Sequence, residues 1–254
     1  MGRYDLTDFE WRVIEPQLPM DRRGPKPQNN RQIIDGVFYI LRTSSPWRDL
    51  PERYGPYTTV YNRFNRRRKA GIWDKIDGCH RKGPRRQGAN DRQLDRALHR
   101  HASGVKKSGV RCVGRSRGGL TTKTHACVDP QGRSAKLLIS PGNDHDITAA
   151  EALLDGLEPR TIVLADKGYD ADSVRSCIRA QGAIPNIPNR SNRKRKYRWK
   201  KALYRERNRV ERFFNKLKNF RRIGSRYDKL GANFFAFIQL ASIRIFLRSI
   251  ESTP

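Results

Sequence analysis

The chain has 254 residues, 36% of them apolar, and its 54 lysines and arginines against 25 aspartates and glutamates give a net charge of +29. That length and apolar share can build one large core or two small ones, and a field of this sign attracts polyanions, so nucleic acid is the expected partner. No apolar run reaches bilayer-spanning length and no charged-then-apolar leader opens the chain, which predicts an intracellular protein with no membrane partner.

The four cysteines, Cys79, Cys112, Cys127 and Cys177, lack CxxC spacing, which argues against a structural zinc site and a disulfide framework. The segment LTDFEWRVIEPQL, residues 6–18, predicts a helix capped by Thr7 with Glu10 three residues on. RQIIDGVFYILR, 31–42, carries helical apolar spacing, and MDRRGPKPQNN between the two reads as a loop. Residues 44–76 read as a short helix, a Gly-Pro turn and a longer helix that ends in Arg66, Arg67, Arg68, Lys69 and Gly71. Two readings stay open here: a helix-turn-helix-like unit that sets those four cations on DNA phosphates, or a helical bundle with a solvated basic end. Residues 1–77 are therefore expected to be helical and to bind DNA.

From 78 to 98 the apolar periodicity disappears and the chain reads as an irregular basic segment. A different pattern follows. Residues 118–142 alternate in two runs about an Asp-Pro-Gln-Gly turn, the signature of a β-hairpin. ITAAEALLDGL is a helix, TIVLAD a strand, ADSVRSCIRAQG a helix and AIPNIP a strand, so 99–254 is expected to be an α/β domain with a mixed sheet and crossover helices. In the run NRSNRKRKYRWKK, 189–201, Tyr197 and Trp199 interleave with Lys194, Arg195 and Lys196. That pattern suits nucleic-acid contact by charge and stacking, the alternative being a solvated loop.

Two carboxylates stand out. Asp166 ends the strand TIVLAD, at the sheet edge where ligands bind in open α/β folds, although an acid there can equally begin a turn. At about 100° per residue, Val210, Phe213, Phe214 and Leu217 share an apolar arc, while Tyr204, Arg207, Glu211 and Lys218 form a stripe beside it. A carboxylate at the margin of a buried face is costly unless paired or metal-bound. A salt bridge to Arg207 would also account for it.

The spacing of Tyr204, Arg207, Glu211 and Lys218 resembles the signature around the last acid of the DDE transposases of bacterial insertion sequences. PWRDLPERYGPYTTVYNRF, GRSRGGLTTKTHACVD, PGNDHD, LADKGYDAD and ERFFNKLKNFRRIGSRYDKL are similar to segments of the insertion-sequence-5 group. The resemblance implies a ribonuclease-H-like fold in which two aspartates and a glutamate hold two Mg2+ or Mn2+ ions for DNA cleavage and strand transfer. It implies Asp166 as the second acid and Glu211 as the third, with Lys218 and Arg207 facing phosphates and Tyr204 positioning the helix. It also implies double-stranded DNA partners (terminal inverted repeats and target), a homo-oligomer during transposition, and a bacterial cytoplasmic, nucleoid-associated location. His145 and Asp146 match a family motif and are expected to form a turn-stabilising pair.

The first acid departs from the family pattern. The family places it in a strand resembling IDSTIVRAHQHAAG; here His99 and His101 match its histidines, and counting back seven residues reaches Arg92. Asp91 and Asp95 flank that position, and no apolar strand leads into either. If NDRQLDRA is encoded AAT GAT CGA CAG CTC GAC CGT GCG, reading one base later gives MIDSSTVR, with Asp at the register of Arg92. The segment 78–98 is therefore expected to be out of frame. The functions this leaves are an active transposase, a DNA-binding remnant without catalysis, and, on charge alone, a basic RNA-binding protein.

Overall fold

The computed structural model describes residues 2–19, 29–81, 96–104, 112, 114–116 and 119–252. In chain order it contains α1 (Asp8–Ile14), α2 (Asn30–Thr43), α3 (Tyr57–Lys69), α4 (Ile72–Arg81), β1 (Arg96–Gly104), β2 (Gly114–Ser116), β3 (Gly119–Val128) and β4 (Ser134–Pro141). Then come α5 (Asp146–Leu154), β5 (Ile162–Ala165), α6 (Asp172–Ala180), β6 (Ile184–Asn186), α7 (Lys201–Tyr204), α8 (Asn208–Lys218), α9 (Arg221–Gly224) and α10 (Gly231–Glu251). Cα proximity divides the chain into a helical unit, Met1–Pro84 with Leu217–Pro254, and an α/β unit, Arg85–Lys216. The last two helices thus group with the N-terminal ones.

In the helical unit α1 begins as expected: the Glu10 amide donates to the Thr7 hydroxyl at 3.1 Å, and the Thr7 amide donates to Glu10 Oε2 at 3.0 Å. Two 3-10 turns, Trp47–Asp49 and Glu52–Tyr54, stand where the sequence suggests one short helix before α3. The helical stretch runs through α4 to Arg81, past the boundary expected at 77. The loop expected before α2 lies mostly outside the described residues.

Aromatic packing fills the core of this unit. Phe64 stacks on Phe237 at 4.6 Å between centroids, and Trp47 lies 5.7 Å from Phe64. Arg222 lies 4.9 Å from the Phe237 ring and donates twice to Asp228 at 3.0 Å, which explains how a buried cation is tolerated there.

Contrary to the sequence reading, α10 is long and apolar enough, by length and composition, to cross a membrane. Within this structure 72% of its apolar window is buried. Its Arg244, 3% exposed, donates to the Tyr4 carbonyl at 2.5 Å, the Asp5 carbonyl at 2.6 Å and Glu10 Oε2 at 3.3 Å. A buried arginine whose two terminal nitrogens donate to three oxygens of the same unit marks α10 as its core helix.

Asp35 on α2 gives a pH-dependent prediction. Its carboxylate accepts from the Leu6 amide at 2.8 Å. Burial, reinforced by Asp5 and opposed by that hydrogen bond, pushes its pKa up to about 6. Because the folded value is raised, the contribution of this site to stability is fully present below the unfolded value of about 4 and lost as pH rises through the folded one. Asp35→Asn is expected to raise stability at pH 7 by about 2 kcal/mol and to leave it nearly unchanged at pH 4. Urea denaturation at the two pH values checks this.

The α/β unit holds one six-stranded sheet of order β2-β3-β1-β5-β6, with β4 paired to β3. β1 runs antiparallel to β3 and parallel to β5, and β5 runs parallel to β6. The predicted hairpin is β3–β4, closed by a turn in which Asp129 Oδ1 accepts from the Gln131 and Arg133 amides at 2.9 Å. Gly132 takes φ +76°, a left-handed conformation that suits glycine. Helices α5 and α6 carry the crossovers into β5 and β6. Leu153 and Leu154 of α5 and Val174 and Ile178 of α6 pack with Val163 and Ala165 of β5 in the core. An antiparallel β4-β3-β1 meander continued by parallel β5 and β6 is the ribonuclease-H-like arrangement, as expected.

Candidate functional site: carboxylates and a fastened basic loop

Strand β5 is buried at all four positions because it is covered by crossover helices, and Asp166 emerges at its carboxyl end. Its Oδ1 accepts from the Gly168 amide at 2.7 Å, so the turn-forming role is present. A Cβ on Gly168 would lie 2.8 Å from Asp166 Oδ1 and 3.8 Å from Asp146 Oδ2, so glycine keeps open a notch bordered by both carboxylates.

Asp146 opens α5 and lies 3.3 Å from Lys123 Nζ, with both side chains nearly buried. Lys123 also donates to the Asp144 carbonyl. The partner shown for Asp146 is therefore a lysine from β3 and not the His145 expected from the sequence; His145 supplies a carbonyl to Thr148.

The strand beside β5 is β1. Their ladder pairs Arg96 with Val163, Ala97 with Leu164 and Leu98 with Ala165, so the next residue, His99, comes level with Asp166. RALHRHASG contains no carboxylate. Arg92, Asp91 and Asp95 lie outside the described residues, and Arg92 is seven positions upstream of the residue this register brings level with Asp166. The position expected for the first acid thus lies outside the described residues.

Glu211 lies on α8, whose Val210, Phe213, Phe214 and Leu217 are buried as the periodicity predicts. Upstream the stripe is less regular: α7 ends at Tyr204 and a 3-10 turn covers Arg205–Arg207. That turn contacts β1 and β5, bringing the start of α8 to the strands that flank Asp166. The stripe nevertheless forms a connected row. Trp199 meets Tyr204 edge-on at 5.5 Å, Arg207 lies 5.6 Å from the Tyr204 ring, and Arg207 Nη2 reaches Glu211 Oε1 at 2.6 Å. The i,i+4 salt bridge is therefore made, with Glu211 about two-fifths exposed. Lys218 is exposed at the end of α8.

The basic loop is fastened by residues that sequence reasoning missed. Asn189 donates to the Tyr197 carbonyl at 2.8 Å and accepts from its amide at 2.9 Å; Asn186 does the same to Lys200 at 3.1 and 2.6 Å. Each asparagine imitates a strand neighbour. Buried Asp170 adds a third tie, accepting from the Arg190 amide at 2.8 Å and pairing with Arg175 at 2.8 Å and Arg193 at 3.1 Å. Tyr197 sits among Arg175, Arg179, Arg193 and Arg195 at 4.5 to 5.6 Å and donates to Asp172 at 2.9 Å, so it anchors the loop. Lys194, Arg195 and Lys196 stay exposed, while Trp199 is partly covered. In the helical unit Arg66 and Lys69 are exposed and Arg68 half-buried. Arg67 is buried and donates to Asn30 at 2.7 Å, which ties α3 to α2 and removes it from the surface expected to meet DNA.

Asn189→Ala removes two hydrogen bonds of about 1 kcal/mol each. Trypsin is expected to nick the variant faster at 194–196 than the parent, and its affinity for duplex DNA to fall about fivefold through the added ordering cost; limited proteolysis and gel-shift titration read the two effects.

Two family models match this sequence: "Putative transposase of IS4/5 family" over residues 6–76, and "Transposase DDE domain" over 82–246. The chain belongs to the DDE transposase family. The transposase is 41% identical over 133 residues to "Putative transposase for insertion sequence element IS6501" of Brucella ovis, covering 51% of this chain and 100% of that one. It is 33% identical over 91 residues to "Transposase for insertion sequence element IS1106" of Neisseria meningitidis serogroup B, covering 36% of this chain and 29% of that one. Among solved structures it is similar to a piggyBac transposase synaptic complex with hairpin DNA, with a TM-score of 0.47 and 10% identity over 97% of this chain and 78% of that one.

This is an insertion-sequence transposase, of an enzyme family that cleaves and joins DNA and uses divalent metal. Among the described residues the donors do not complete a metal centre of that kind. Glu211 is held by Arg207, Asp146 by Lys123, and no group of three or more His, Cys, Asp or Glu gathers among the described residues.

Proposed function

We propose that this transposase binds double-stranded DNA at the terminal inverted repeats of its element, in the bacterial cytoplasm at the nucleoid, but cleaves it poorly. The observation that carries the reading is the acid-free β1 beside β5: the strand paired to the one that ends at Asp166 contains no carboxylate to serve as the first metal-binding acid. Asp166 and Glu211 are the second and third acids. They would hold Mg2+ or Mn2+, two ions per site, only with a first acid restored; the metal would then supply activation of the attacking oxygen and stabilisation of the leaving one. The exposed Lys194, Arg195 and Lys196 of the fastened loop, with Trp199, Tyr204 and Arg207 along the adjoining row, support binding to the DNA backbone. Arg66, Arg68 and Lys69 add a basic helix end in the other unit. Cutting two ends together requires more than one copy, so a homo-oligomer is expected on DNA.

Gel-shift titration of end-containing duplex against unrelated RNA of equal length tests the binding. Tighter binding to the duplex supports the reading, and equal affinity for the RNA overturns it in favour of a general basic RNA binder. The salt dependence should be steep, since each phosphate neutralised adds about 0.9 to the slope of log K against log salt.

A further inference from the structure

The helical unit contains a pocket of about 380 Å3 that lies apart from the carboxylates and the fastened loop in sequence. Arg3, Arg42, Arg221 and Arg248 line it, with Thr43 and Asn219 between them. Two of these guanidinium groups lie against aromatic rings: Arg42 is 5.3 Å from the ring of Phe220, and Arg3 is 5.7 Å from that of Tyr4. Stacking of this kind orients a guanidinium and leaves its N–H edge for a planar or tetrahedral oxyanion.

The four cations are not balanced. Among the described residues the carboxylate in ion-pair range of them is Glu10, 3.5 Å from Arg248 Nε and already 3.3 Å from Arg244. One acid divided between two arginines leaves Arg3, Arg42 and Arg221 facing one another. The strain shows at Arg42, whose pKa is held below the usual arginine range by burial and then by Arg248, Arg3 and Arg221, with Tyr4 opposing. Like charges kept together without a matching acid are stabilised by an anion that bridges them.

We propose that this pocket is a phosphate site that takes a backbone phosphodiester of duplex DNA, separate from the carboxylate centre. The volume exceeds that of a lone phosphate and lies in the range of ligand sites, enough for a phosphodiester with part of its sugar. Guanidinium forks match phosphate oxygens in pairs, and the Asn219 amide supplies a neutral donor. The proposal rests on the DNA-binding reading only for the source of the phosphate, because inorganic pyrophosphate presents the same chemistry.

The test uses the full chain, an Arg42→Gln/Arg221→Gln variant, and Arg221→Gln alone, since Arg221 is exposed and its loss cannot carry a folding defect. Duplex affinity is measured from low to moderate KCl, and melting temperature with and without inorganic pyrophosphate. For a DNA site, the slope of log K against log salt becomes shallower by about 1 in the variants, uniformly across duplex sequences, and pyrophosphate, which shares the chemistry, raises the melting temperature of the parent more than that of the variants. If pyrophosphate stabilises the parent and not the variants while the slope is unchanged, the site is a phosphate site filled by a small anion. An unchanged slope together with equal pyrophosphate responses in parent and variants overturns the proposal. A parent that fails to bind duplex DNA at all sinks the DNA-binding reading instead, and the pyrophosphate response then decides the pocket alone.

Discussion

End-containing DNA incubated with this chain and Mg2+ will be bound but stay uncut, whereas a polypeptide read one base later across residues 78–98 will cut it at least about 100-fold faster. The magnitude follows from geometry: a reacting group misplaced by about 1 Å costs on the order of 10²-fold, and loss of a metal-binding acid is a larger disturbance. The restored reading MIDSSTVR supplies an acid, where the strand Arg96–Gly104 contains none. It also changes the pairing. In the present chain His99 comes level with Asp166, while the restored acid stands at the register of Arg92, so the strand must slide by seven residues to bring it there. An odd slide also exchanges the two faces of a strand, which is why register is set by the apolar pattern. In the restored chain Asp166→Ala and Glu211→Ala should each abolish cutting and leave duplex binding within about twofold, since each removes an acid and not a cation. Equal cutting rates for the present and restored chains would show that another acid, such as Asp91, Asp95 or Asp146, already serves, and the missing-acid reading would fall.

Asp170→Ala is expected to destabilise the α/β unit by about 3–5 kcal/mol, because removing one partner of a buried ion pair strands the other. Arg175 is 1% exposed and Asp170 is fully buried, with Arg175 Nε and Nη2 both donating to Asp170 Oδ1 at 3.0 and 2.8 Å. Urea denaturation measures the loss. A second replacement, Arg175→Met in the Asp170→Ala background, should recover much of it, since an apolar side chain leaves no uncompensated charge. A change under about 1 kcal/mol in the single variant would show that solvent reaches the pair and that the tie is superficial.

The same carboxylate sets a pH signature. Burial acts to raise its pKa, but the Arg190 amide, Arg175 and Arg193 outweigh burial and hold it below the ordinary aspartate value. For a depressed folded-state value, the stability is present above the unfolded pKa of about 4 and is lost as pH falls through the folded one. The parent should therefore lose stability in acid more steeply than Asp170→Ala does. This dependence is opposite in sign to that of Asp35, which acts between about pH 4 and 6. Because Arg190 and Arg193 belong to the basic loop, Asp170→Ala should also weaken duplex binding, joining the stability of the unit to its DNA contact.

Local pattern carried most of the element sequence. The Thr7–Glu10 cap, the β3–β4 hairpin with its Asp129–Gly132 turn, the buried β5 and the apolar arc of α8 each arise from neighbours within a few residues, so periodicity and turn chemistry reveal them. The family spacing from Tyr204 to Lys218 was equally legible, since it lies on one short stretch of chain. The absence of an acid at Arg92 was legible against the family pattern, but the strand beside Asp166 was not: the basic run before His99 reads as irregular, and β1 at Arg96–Gly104 came from the structure.

Only the tertiary structure decided which long-range partners those residues take. Lys123 reaches Asp146 across 23 positions, Asn186 and Asn189 clamp residues 14 and 8 positions away, and Arg67 turns inward to Asn30. Arg244 reaches Glu10 across 234 positions, which makes α10 a core helix although its composition resembles a membrane span. None of these contacts leaves a mark in local periodicity. A buried charge must find an opposite charge or a set of oxygens wherever the fold places one, and that place is fixed by packing and not by neighbours in the chain.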